Sequence, residues 1–188
     1  LGNFSFGDYF KRDAIPFAWK LLTEEWKLPK DRLFVTIFRG EPGIPRDDEA
    51  YDTWRTFVPP DHIGELGADD NFWTMGDTGP CGRSSEIYYY RGPESACAEE
   101  ALGRACRGME CSCDRYLEFW NNVFMEFNRQ QDGTLNPLPA PAIDTGMGFE
   151  RVTAILQGKL SNYDTDLFTP ILAAIGDRAG IRYRATMD

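Results

Sequence analysis

Arg115-Tyr116-Leu117-Glu118-Phe119-Trp120-Asn121-Asn122-Val123-Phe124-Met125-Glu126-Phe127-Asn128-Arg129 and, further on, Ile143-Asp144-Thr145-Gly146-Met147-Gly148-Phe149-Glu150-Arg151 are the stretches that decide the fold. Strand side chains alternate between two faces, so Leu117, Phe119, Asn121, Val123, Met125 and Phe127 are expected to share one face. A polar Asn at the centre of an apolar face is the informative residue there. The second stretch reads as a strand end, a glycine turn and a helix whose apolar stripe is Val152, Ile155 and Leu156.

Working outward, Ile15, Ala18, Trp19, Leu22 and Trp26 recur at helical spacing. That predicts a helix whose regular part runs from near Asp13 to before Pro29, with Pro16 tolerated in its first turn. Leu33 to Phe38 reads as a strand closed by a Gly/Pro loop. Ala50, Tyr51, Trp54 and Phe57 mark a short surface helix that Pro59-Pro60 ends. Asn71 to Gly82 reads as a binding loop leading into a strand over Glu86 to Tyr90. Gly92 to Asp114 has no periodicity, and Asp132-Gly133, Pro137, Pro139 and Pro141 make a turn-rich stretch. The pattern predicts one α+β unit over residues 1–188 with a Cys-containing insertion at about 92–114. Strands and helices do not alternate regularly enough for a doubly wound parallel sheet.

The 188 residues are 42% hydrophobic and 14% aromatic, which suits about one domain with a real core and excludes a disordered tail. Thirty acidic against 20 basic residues give a net charge of −10, which argues against a nucleic-acid-binding surface over the whole molecule but leaves a local basic patch open. No run approaches the ~18 apolar residues of a membrane span. The chain starts at Leu1 with no leader-like pattern and looks cut at both ends. Four of its five cysteines crowd between Cys97 and Cys113, a poor match to a secreted disulfide framework, so a reducing, cytoplasmic setting is expected.

Several residues are candidates for chemistry, each with a plainer alternative. Gly146 and Gly148 lack a Cβ and allow close approach of a ligand, and Arg151 in the following helix turn suits a phosphate through its planar fork. The alternative is a helix entry whose Arg pairs with a surface carboxylate. Asp144, before the turn, suits an ammonium group or else caps the helix. Trp73, Asn121 and Val123 together would make a small, mostly apolar pocket with one orienting amide, although Trp alone is commonly core. Asp77 and Cys81 flank a tight turn and read as structural, and His62 has no partner motif for nucleophilic catalysis. Cys97, Cys106, Cys111 and Cys113 match the count of a structural Zn²⁺ shell but not the spacing of paired C-x₂-C knuckles. The alternative is a loop of reduced thiols.

Four segments in order, Gly2 to Lys11, Asn71 to Gly82, Arg115 to Arg129 and Asp144 to Arg151, give the chain its resemblance to the catalytic core of the alanyl-tRNA synthetase family, within the class II aminoacyl-tRNA synthetases. The likeness runs from Gly2 almost to Phe168. It implies an antiparallel sheet of six or seven strands flanked by helices, alanine activation with ATP and Mg²⁺, and transfer of alanine to tRNA(Ala). It implies that Asp144 binds the alanine ammonium, that Trp73, Asn121 and Val123 shape the methyl pocket, that Gly146 approaches bound substrate or adenosine, and that Arg151 is the motif 3 arginine on the γ-phosphate. In the family, motif 1 and the motif 2 arginine would precede Leu1, so these 188 residues alone are expected not to form alanyl-adenylate. Arg83-Ser84 stands where many relatives have Pro-Cys, at a place expected to lie away from the pocket. A non-catalytic paralogue that binds an amino acid or adenylate is the competing reading.

Overall fold

The computed structural model describes residues 1–111 and 113–183, which form two compact units, Leu1–Met147 and the segment from Gly148 onward. In the first, α1 (Lys11–Lys20), a π turn (Leu21–Glu25), β1 (Leu33–Phe38), α2 (Asp48–Trp54), β2 (Ile63–Leu66), α3 (Ala68–Asn71), β3 (Phe72–Thr74), β4 (Gly79–Tyr90), α4 (Ala98–Ala101), β5 (Tyr116–Arg129) and β6 (Leu135–Met147) follow one another. The six strands make one sheet in the order β2-β1-β4-β5-β6, with β3 added on β4. Every pairing is antiparallel except β1 with β2. The sheet is therefore mixed, and the expected α+β class holds.

One face of the sheet carries the apolar core. Val35 pairs with Ile87 and Ile87 with Trp120, and the Trp54 indole of α2 donates to Ser85 Oγ (2.8 Å) on this side. Val35, Ile37, Ile87, Phe124 and Ile143 are fully buried, as are Ile15 and Leu22 of the first helical segment. Side chains of this size stabilise the fold by roughly 1.5–3 kcal/mol each. That burial explains why α1 starts at Lys11, before the expected point, and runs through Pro16: packing of Ile15, Ala18 and Trp19 outweighs one missing helical N–H.

Three other expectations are corrected. β5 does not keep one face from Leu117 to Phe127. Ile87 pairs with Trp120 but Tyr88 with Glu118, and a second shift lies between Cys81 and Ser84, so extra β5 residues flip the alternation on both sides of the centre. Phe119 and Trp120 are consequently both buried, as are Val123 and Phe124. Next, the Asn71 to Gly82 segment is not all loop, because β3 and the start of β4 lie within it. Finally, the proline-rich stretch belongs to β6, where Pro137 pairs with Phe127, and this half of β6 is a sheet edge that tolerates missing N–H donors.

The other half of β6 is covered by the N-terminal segment, with Ser5 N donating to Ile143 O, Thr145 N to Asn3 O and Met147 N to Leu1 O. Gly2 is needed for this approach, since a Cβ there would stand 2.0 Å from Thr145 O. The second unit contains α5 (Phe149–Leu156), which buries Val152, Ala154 and Ile155, and α6 (Thr169–Ala179), which ends at left-handed Gly180. No helix among the described residues is long and apolar enough to cross a membrane.

Candidate active site

The face of the sheet opposite α2 is polar. Ser84 pairs with Val123 and Val123 with Asp144, and in the next row Glu86 pairs with Asn121 and Asn121 with Gly146. Paired residues project to the same face and adjacent strands stand about 4.8 Å apart, so the two rows form a patch with Val123 between a hydroxyl and a carboxylate. Ser84, expected to lie away from the pocket, is thus directly across from Val123. Nothing in the sequence showed this, because the register depends on the β5 irregularities.

Polar atoms in this patch lack partners. Ser84 Oγ and Asn121 Oδ1 are buried with no hydrogen-bond partner among the described residues. Such atoms cost about 1–3 kcal/mol each unless something satisfies them. Gly146 is exposed, and a Cβ on it would meet nothing within 4 Å, so packing does not require a glycine there and the space above the strand is open. The expected glycine turn is instead the last part of β6, which runs through Gly146 to Met147. Asp144 lies inside the strand, and Gly148 is the residue that precedes α5, so Asp144 is not that helix's cap. Of the other predicted residues, Trp73 pairs with Gly82, which by alternation along β4 puts it on the face of Ser84 and Glu86. Arg151 is exposed in the first turn of α5, and it and Gly148 belong to the second unit.

The patch is braced at one end. Asn71 Nδ2 donates to Thr36 Oγ1 (2.9 Å), and the Glu86 backbone N–H donates to the same oxygen (3.2 Å). The Tyr88 hydroxyl donates to Glu86 Oε2 at 2.6 Å. Burial, followed by the Glu86 charge, pushes the Tyr88 phenol far above its ordinary range, so it remains a donor.

A buried ion network ties α1, α2, β4 and β5 together. Lys11 Nζ donates to both Asp47 oxygens (2.8 Å each) and to Glu126 Oε1 (3.0 Å), and Arg83 closes on Glu126 through Nε (2.8 Å) and Nη2 (2.6 Å). Asp47 also accepts from Ala50 N at the start of α2. Burial raises the Glu126 carboxyl, but the Arg83 hydrogen bond and the Lys11 and Arg83 charges outweigh it and hold the group below its ordinary 4.5.

Away from this face, Cys97, Cys106, Cys111 and Cys113 bring their four Sγ atoms within 4.8 Å of one another, an arrangement able to hold a metal ion. Cys81 is separate and buried in β4, and His62 stacks on Phe34 with Nδ1 2.8 Å from Leu33 O.

The family model described as tRNA synthetases class II (A) matches residues 1–188. The alanine–tRNA ligase of Anaeromyxobacter sp. (strain Fw109-5) is 57% identical over 189 residues, covering 99% of this chain and 21% of that protein. That of Anaeromyxobacter dehalogenans is 56% identical over 191 residues, with 100% and 21% covered. The Myxococcus xanthus ligase is 55% identical over 185 residues, with 97% and 21% covered. The chain spans about one fifth (21%) of the length of these relatives.

Proposed function

The chain belongs to the tRNA synthetases of class II (A), and from that membership we propose that it forms the amino-acid side of an alanine–tRNA ligase active site, acting in the cytoplasm to convert alanine and ATP to alanyl-adenylate and then charge tRNA(Ala). The observation that carries this reading is the Ser84-Val123-Asp144 row, which sets a small apolar side chain next to a carboxylate beside open space at Gly146.

Asp144 holds the alanine ammonium and thereby aims its carboxylate. Val123 and Trp73 bound the methyl group, and Asn121 Oδ1, which lacks a partner, accepts a further hydrogen bond from the ligand. ATP with Mg²⁺ supplies the electrophilic α-phosphorus when bound. Gly146 leaves room for the adenylate, and Arg151, in the helix turn after Gly148, neutralises the γ-phosphate through its fork. Alanine's carboxylate is already ionised at neutral pH, so the first step needs positioning and charge neutralisation and no general base. The site fits that need, with no Ser-His or Cys-His pair in the patch. A site that reads the side chain mainly through Val123 and Trp73 discriminates weakly against one added hydroxyl or one missing methyl, so serine and glycine are weaker substrates rather than excluded ones. A net charge of −10 does not favour tRNA binding over the whole surface, so in this reading most acceptor-stem contacts lie outside this segment or on a small local patch. We also assign both compact units to one catalytic domain, with residues 92–114 as an insertion and with Zn²⁺ as the ion for its thiols.

The test is amino-acid-dependent ATP–pyrophosphate exchange in the intact protein that carries this segment. Alanine should be the best substrate, and Asp144→Asn should lower exchange about 100-fold or more, the scale of losing one partner of a buried charge pair. No exchange with alanine in a folded protein, or full exchange in the variant, refutes the reading.

A further inference from the structure

The loop between β4 and β5 buries almost nothing apolar. Among the described residues from 92 to 114, the buried side chains are Ser95, Cys97 and Cys111, while Leu102 is 69% exposed. A segment of this length without an apolar core needs another constraint to hold one conformation. The four cysteines provide the groups for it. Their Sγ atoms lie within 4.8 Å of one another, with Cys97 to Cys111 at 3.7 Å and Cys106 to Cys113 at 3.8 Å. Tetrahedral zinc with Zn–S bonds of about 2.3 Å separates its sulfurs by about 3.8 Å. Both distances match that edge, and both are far longer than a disulfide's ~2.05 Å.

We propose that Cys97, Cys106, Cys111 and Cys113 bind one Zn²⁺ ion in a closed tetrathiolate site that holds the 92–114 loop in shape. This assignment rests on the loop's own geometry and is independent of the aminoacylation reading. Four protein sulfurs fill the tetrahedron, leaving no position for water or substrate, so the role is structural. The surroundings suit a site that carries excess negative charge once four thiolates meet a divalent ion. Backbone N–H groups of Glu100, Gly108 and Arg107 point at Cys97, Cys106 and Cys111. The Arg115 guanidinium lies close by, anchored on Glu100 (2.7 and 2.9 Å) and on the carbonyls of Pro93 and Ser95 (3.1 and 3.2 Å). Soft thiolates in a tetrahedral set select zinc over the hard ions Mg²⁺ and Ca²⁺.

The experiment measures bound metal in the reduced chain by mass spectrometry, then replaces it with Co²⁺ and records the visible spectrum. The expected result is one zinc per chain and the intense absorption of a tetrahedral cobalt thiolate. Cys106→Ser/Cys113→Ser should lose both signals, and Cys81→Ser should keep both. Chelation should expose Arg104 and Arg107 to trypsin at least tenfold faster while cleavage elsewhere in the sheet is unchanged. Zinc-free, cobalt-silent native chain overturns the proposal, as does iron in place of zinc or a spectrum that survives in the double variant. Because the native chain's own metal content and cobalt spectrum decide the outcome, a variant that fails to fold does not protect the idea.

Discussion

Replacing Lys11 by Met tests whether the buried ion network sets the stability of the sheet unit. Lys11 is fully buried, and its Nζ makes three contacts of 2.8 to 3.0 Å with the Asp47 and Glu126 carboxylates. Met keeps the aliphatic stem between the Phe10 and Phe124 rings, which Nζ approaches at 5.3 and 4.9 Å, so packing changes little. What is lost is the charge. Glu126 still has Arg83, but Asp47, with a side chain only 1% exposed, keeps just the Ala50 N–H and Arg83 Nη1 at 3.8 Å. Orphaning one member of a buried pair costs about 3–5 kcal/mol. The expected destabilisation is therefore about 3–5 kcal/mol at pH 7. Denaturant unfolding followed by tryptophan fluorescence reads it, since all 5 tryptophans lie in the unit that contains the network. A loss below about 1 kcal/mol at pH 7 would falsify this account of the network.

Other outcomes follow from the same geometry. Glu126 has a folded pKa below its ordinary 4.5, so its contribution is fully present above that value and drains away as pH falls through the lowered one. Glu126→Gln should flatten the acid limb of the stability–pH curve, and an unchanged limb would show that Glu126 does not govern it. Gly146→Val should change stability by less than about 1 kcal/mol, because its Cβ meets nothing, while lowering alanine-dependent exchange at least tenfold. If exchange survives at the native rate, ligand does not pass over Gly146.

Asn121 and Val123 could be placed on a common face from the sequence because period two holds between consecutive pairs, and the β5 register keeps it there. The same rule failed for Phe119, since a bulge shifts parity by one residue and leaves no mark in the hydrophobic pattern. Local turn chemistry misread Pro137 to Pro141, because whether a strand lies at an edge is a property of the whole sheet. Long-range polar pairing was the least legible. Lys11 meets partners 36 and 115 residues away, and a lysine next to Phe10 gives no sign of being dry. The proposed site divides the same way. Asp144 stood out by its place before Gly146, whereas Ser84 entered the patch only once β4, β5 and β6 were aligned. The second-unit residues Gly148 and Arg151 were read from their helix turn alone.

The two ends of the cysteine loop meet, with Arg91 N donating to Arg115 O at 2.8 Å just beyond the Tyr90–Tyr116 pair. The sheet's hydrogen-bond ladder is thus complete before the chain departs and intact when it returns. Whatever lies between is a graft on a finished hairpin, free to lengthen, shrink or be exchanged for a tight turn at a closure cost that grows only logarithmically with length. Variation among lineages can accumulate there without moving Val123 or Asp144, which makes this joint a ready place to splice in a reporter or an affinity handle.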